Sequence, residues 1–197
     1  RLLHDPRGVF GLIVVVFFTL GAIAGPSLAP HDPRALDYPH KYTPPFWMER
    51  SVTGVGPNWD FPLGTDSKGR DVLSRTLYGT RTSMLIGWAT VLLTVVIGLP
   101  IGLAAGYHGG RIDNALMRIT DVFYSLPAIM FYILVVLLLR ETPFGVWLSG
   151  LAMLILAFSL VGWVNVARLA RAAGLVVRAA PYVDAAQASG ARTFRTV

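Results

Sequence analysis

The chain has 197 residues, 54% of them hydrophobic and 14% charged, with a mean hydropathy of +0.57. Soluble domains carry about 25% charged residues, so this composition excludes an ordinary soluble domain, and its wealth of Leu, Val and Ile excludes a disordered chain. The net charge of +6 raises nucleic acid as a partner, while the absence of cysteine excludes disulfides and thiolate metal sites.

Four stretches lack Asp, Glu, Lys and Arg: residues 8–30, 82–110, 122–139 and 142–167. A bilayer core of about 30 Å needs about 20 apolar helical residues. Each stretch is predicted to span, the third by including residues before Val122. The first follows Arg1 and Arg7 as a signal peptide would, but its apolar run over 9–24 is long for one and three more spans follow. It is read as a retained anchor.

The segment after it, 31–60, is crowded with Pro33, Pro39, Pro44, Pro45 and Pro57 and with Tyr38, Tyr42, Phe46, Trp47 and Trp59. Proline at this density prevents long helices, so an ordered loop lying on the membrane or on a partner is expected, with a plain linker as the alternative. His31 and His40, without cysteine, do not make a metal site. From Thr65 or Asp66 as cap, Val72, Leu73, Thr76 and Leu77 share one face, which predicts a short interfacial amphipathic helix leading into the second span. Gly64 and Gly69 match the glycines of a phosphate-binding loop. Arg70 and Asp71 stand where that loop needs Lys and Ser/Thr, so ATP binding is excluded here.

In the second span Gly98, Gly102 and Gly106 recur every fourth residue, the spacing of a close helix-packing face. Pro100 and Pro127 are expected to bend the second and third spans. Asp113, Arg118 and Asp121 flank the entrance of the third span, with Arg118 and Asp121 placed for a local ion pair. Trp147 and Trp163, near the two ends of the fourth span, suit interfacial anchors. No catalytic, cofactor-binding or metal-ligating set stands out: there is no Ser/His/Asp grouping within the spans and no H-E-x-x-H.

Beyond the fourth span, Pro181 suits a first helical turn, Asp184 the positive helix start and Gly190 a left-handed C-terminus, which predicts a short helix over 181–189. Orientation follows from basic residues near the spans. With the N-terminus in the cytoplasm, the inside holds Arg1, Arg7, Arg111, Arg118, Arg168, Arg171, Arg178, Arg192 and Arg195 against Asp5, Asp113, Asp121 and Asp184. Seven basic and six acidic residues then lie outside, between His31 and Arg81. The net charge is therefore mostly positive-inside bias, and nucleic acid drops out as a partner.

The tail Asp184-Ala185-Ala186, three residues and Gly190 resembles the EAA loop of ABC-importer permeases, with Asp in place of the first Glu. The Ile-x-Leu-Pro that ends that loop would begin at about Val197 and does not appear. Upstream, Pro62-Leu63-Gly64-Thr65-Asp66 with residues 69–75, Gly106-Tyr107-His108-Gly109-Gly110, Asp113, Leu116-Met117-Arg118, Asp121 and Pro127 resemble the C-type subunit of dipeptide/oligopeptide/nickel permeases.

The resemblance implies an all-α membrane fold, that of a type I ABC-importer transmembrane subunit in the bacterial or archaeal plasma (inner) membrane. Four spans fall in this chain and two more are expected after it, so the chain is expected to be a fragment. Its parts are 1–30 (first span), 31–81 (external segment) and 82–197 (core permease). The implied role is import of di- or oligopeptides, with no catalysis and no cofactor in this chain. The implied partners are membrane lipid, a second homologous permease, two cytoplasmic ATPases docked through Asp184, Ala185, Ala186 and Gly190, and an external substrate-binding protein. A nickel or other small-solute importer is the near alternative. An ion-coupled secondary transporter would need buried ionisable groups and repeat halves, and neither is evident. A membrane scaffold without transport is the third class.

Overall fold

A computed structural model describes residues 5–49, 54–147 and 150–189, which form two compact units divided after Leu85. Among the described residues all regular structure is helical, apart from an isolated bridge between Thr65 and Asp71.

The first unit opens with α1, Pro6–Leu28. The Asp5 carboxylate accepts from the Arg7 backbone N–H at 2.9 Å, and Pro6 supplies the fixed φ of a first turn. Of α1, only Ala22 and Gly25 are buried, and large side chains such as Phe10, Phe17 and Ile23 are exposed. That all-round apolar surface is what a helix in lipid presents.

The proline-rich segment that follows is ordered by backbone pairing across sequence. The Thr65 N–H donates to Thr43 O at 3.0 Å, Phe46 N–H to Pro62 O at 3.1 Å and Val72 N–H to Gly64 O at 3.1 Å. The Thr65 hydroxyl accepts from Thr43 N–H at 2.9 Å and donates to His40 O. Phe61, buried, stacks on His31 at 4.8 Å. Gly69 holds φ +77°, and a Cβ there would overlap the Asp37 carbonyl, so the turn admits only glycine. Residues 65–71 form this turn and no separate helix. Helix α2, Val72–His108, starts with Asp71 as its cap instead of Thr65 or Asp66. The buried Asp71 carboxylate accepts from the N–H groups of Leu73 and Ser74, both at 3.1 Å.

α2 carries the chain into the second unit and continues through Pro100 without interruption. There follow α3 (Gly110–Tyr124), α4 (Ala128–Arg140), α5 (Pro143–Trp147), α6 (Gly150–Arg178) and α7 (Pro181–Ala188). The core is Trp163, Val164 and Ala167 of α6 against Ile97, Ile101 and Phe123. Trp163 is only 6% exposed and meets Phe123 edge to face at 5.6 Å, so it is a core residue and not the interfacial anchor its position suggested.

α1, α2 and α6 are each long and apolar enough to cross a membrane, and α3 with α4 makes a fourth candidate bent by 88°. The break falls at Ser125–Pro127, where Pro127 heads α4 with φ −60° and ψ 112°. At 13 residues α4 is about 20 Å long and falls short of a bilayer core by itself. The third span is thus two helices at near right angles and not one bent rod. α6 begins at Gly150, after the separate turn of α5, and extends through Arg178.

Candidate functional site

The glycines of α2 lie against the backbone of α6. A Cβ added at Gly98 would sit 2.5 Å from Trp163 O, and one at Gly106 2.5 Å from Arg171 O. At Gly102 it would overlap Ala167 O and lie 2.6 Å from the Ala170 Cβ. On α6 the opposing residues are Gly162, facing Thr94, then Val166, Ala170 and Gly174, facing Gly106. These also recur every fourth residue. The Ser159 hydroxyl extends the contact, lying 3.4 Å from Thr90 O while donating to Ile155 O at 2.7 Å. Gly162, Ala170 and Gly174 were readable as a partial small-residue spacing, interrupted by Val166, and were missed.

Along and just beyond the seam, α6 carries three arginines, each with a separate partner. Arg171 forms a two-pronged pair with Asp113 of α3, its Nη2 donating at 2.6 Å and its Nε to the other carboxylate oxygen. Asp113 is 8% exposed. Arg168 pairs with Asp121 at 2.7 Å and lies over the Tyr124 ring, 4.2 Å from its centre. Asp121 therefore pairs with α6 and not with Arg118. Arg178 donates to His108 O at 3.1 Å, satisfying one of the free carbonyls at the end of α2. The fourth charge-free stretch ends at 167, but the span's helix continues three turns further, and these arginines bind it to α2 and α3.

α7 follows after Ala179 and Ala180. Its Pro181 start agrees with the sequence, and its end at Ala188 falls one residue short of the expected one. Val183, which sequence reasoning passed over, is almost wholly buried and anchors the helix, while Tyr182 and Ala185 are exposed. The side chains of Asp184 and Ala186, and that of Trp147, lie outside the described residues, as does Gly190 altogether. Among the described residues no group of three metal-ligating side chains occurs.

The former phosphate-loop lookalike has a clear occupant. The Asp66 carboxylate accepts from the backbone N–H groups of Lys68 at 2.8 Å and Arg70 at 3.1 Å, from Arg70 Nε at 2.8 Å, and from Arg75. The turn's N–H groups are satisfied by the protein's own anion. Burial would raise the Asp66 pKa, but these donors, the Arg70 guanidinium foremost, pull it down to about 2.

Long apolar helices, a glycine seam between two of them and the pairing of α6 arginines with α3 carboxylates define a multi-pass helical membrane protein. Within that class the chain belongs to the binding-protein-dependent transport system inner membrane component family, which matches residues 98–197. The N-terminal transmembrane domain of oligopeptide transport permease C matches residues 1–45. A dipeptide transport system permease protein of Bacillus subtilis is 35% identical over 100% of this chain and 55% of its own. An oligopeptide transport system permease protein of the same organism is 34% identical over 99% of this chain and 57% of its own. A nickel transport system permease protein of Escherichia coli K12 is 34% identical over 93% of this chain and 59% of its own. The chain thus spans a little over half the length of these relatives. Family and helices together make it a multi-pass inner-membrane protein.

Proposed function

We propose that this chain is the greater part of a transmembrane permease subunit of an ATP-driven importer for di- or oligopeptides. The observation that carries this reading is the family match over 98–197 on a chain whose α7 bears Asp184-Ala185-Ala186 directly after a span. In this reading ATP is hydrolysed by two partner subunits at the cytoplasmic face, a second homologous permease completes the path, and an external binding protein delivers the solute.

In this reading the motion runs through α7 and α6. Docking at α7 would act on α6 across the two-residue joint Ala179–Ala180. α6 is locked to α2 by the glycine seam and to α3 by Arg171–Asp113. A push on α7 would therefore move three helices together, which suits a change between inward and outward access by rigid-body tilting. The glycines at 98, 102 and 106 serve as the packing face in this scheme.

The nickel permease relative favours a small-solute importer as the second reading. ATPase activity of the complex built on the full-length subunit, with its binding protein empty or loaded, tests both. Stimulation by a peptide-loaded binding protein supports peptide import. Stimulation only by one loaded with nickel or another small solute supports the second reading, and hydrolysis that no loaded binding protein stimulates overturns the importer assignment.

A further inference from the structure

The first unit holds an open cleft of about 450 Å³ between the residues after α1 and the first turns of α2. Arg34, Arg70, Arg75 and Arg81 line it, with Tyr78. The Asp66 carboxylate engages two of the four, Arg70 and Arg75, and fixes their guanidinium groups. The Asp32 carboxylate takes the backbone N–H of Arg34, at 2.7 Å, and leaves its guanidinium out. Among the described residues no ion pair holds Arg34 or Arg81. The cleft is therefore strongly positive, and its guanidinium forks match the geometry of a phosphate.

Its depth selects the source of that phosphate. His31 N–H donates to the Ser74 hydroxyl at 3.0 Å, and Gly25 packs on Leu77, so α1 and the start of α2 run antiparallel. Arg81 lies one turn further along α2, about 6 Å beyond the level of Gly25. At that depth α1 is still within its charge-free run, 8–30. An arginine there must reach toward the headgroup layer for a counter-ion. We propose that this cleft binds the phosphate of an anionic membrane phospholipid, with Arg34 and Arg81 as its free ligands and Arg70 and Arg75 as a prearranged wall. The inference rests on the membrane placement of the chain and not on the transport reading.

The test is native mass spectrometry of the full-length protein released from micelles doped equally with phosphatidylglycerol and phosphatidylcholine. The wild type should retain phosphatidylglycerol preferentially, and excess inorganic phosphate should leave that retention unchanged. Arg34→Gln with Arg81→Gln should cut the preference about fivefold, as two exposed charge contacts would supply. Arg34→Lys with Arg81→Lys, which keeps the charge and loses the forks, should fall between. Equal retention of both lipids by the wild type, or an unaltered preference in the Gln variant, overturns the proposal. So does displacement by inorganic phosphate, which would mark a site for soluble anions. Unchanged lipid retention with lost capture of an acidic binding protein would mark a docking surface instead.

Discussion

Two carboxylates of α3 contact two arginines of α6, and exposure decides which contact matters. The Asp113 side chain is 11% exposed and takes two parallel donors from Arg171, whereas the Asp121 side chain is 65% exposed and takes one from Arg168. Hydrogen bonds to charged groups contribute about 1.5–3 kcal/mol where water is excluded, while exposed pairs contribute roughly 0–1. In a double-mutant cycle on thermal unfolding in detergent, Asp113→Ala and Arg171→Ala should show a coupling above about 1 kcal/mol. The same cycle on Asp121 and Arg168 should give under about 0.5 kcal/mol. Equal couplings would contradict the ranking. Asp66 makes a second prediction, on acid stability. Its folded pKa of about 2 lies below that of the unfolded chain, so the stabilisation is complete above about pH 4 and is lost as pH falls toward 2. Allowing for partial solvent screening, the contribution is about 1–2 kcal/mol. The stability gap between wild type and Asp66→Asn should therefore hold near neutrality and close as the pH is lowered through that window; a gap constant down to pH 2 would refute it.

Helices were legible in the sequence where one rule governed them, and less so where two competed. The charge-free stretches gave α1, α2 and most of α6, because bilayer thickness imposes a length that composition reveals. The same rule failed at 168–178, where Arg168, Arg171 and Arg178 end the charge-free stretch and so put the helix's end too early. Their helical continuation is visible only once Asp113, Asp121 and the carbonyl of His108 are known to lie opposite. Pro127 was expected to bend a span, but no local signal carries the size of the bend, 88°. Asp66 and Asp71 are both sound caps by type, and only the turn pinned by Gly69 decides that Asp71 starts the helix. The glycine seam offers an element-scale test with an internal control. A Cβ at Gly102 would overlap Ala167 O, whereas at Gly87 it would meet nothing within 4 Å. Gly102→Ala should lower the unfolding temperature, with a cost of about 1–3 kcal/mol because backbone must move, and Gly87→Ala should be neutral or mildly stabilising. Equal effects at the two sites would show that α2 and α6 are not held at this distance.

At the scale of the whole molecule, orientation and force transmission are separate questions. The charge balance predicts 31–81 outside and 168–197 inside. Because the chain has no cysteine, single cysteines at Ser51 and Thr193 can report it directly. An impermeant thiol reagent on intact cells should label position 51 alone, and labelling of 193 alone would reverse the topology. Coupling to an ATPase asks more of the structure, since α7 has only eight residues and cannot hold a load by itself. It is fastened at one end by the buried Val183 and joined to α6 through two alanines, so its start is fixed to the span it would drive. Its far end needs an equally fixed turn, and Gly190 is the residue expected to supply one, because a left-handed conformation costs about 1 kcal/mol or more once a Cβ is present. Gly190→Val in the full-length subunit should thus leave membrane insertion and the α2–α6 seam intact. It should also weaken ATPase docking and abolish uptake. Val183→Ser attacks the other end: it should loosen α7 from its own subunit, so that the ATPase still binds while hydrolysis no longer drives transport. Uptake, ATPase co-purification and hydrolysis measured at matched expression distinguish the two failures. Wild-type uptake in both variants would remove α7 from the coupling path.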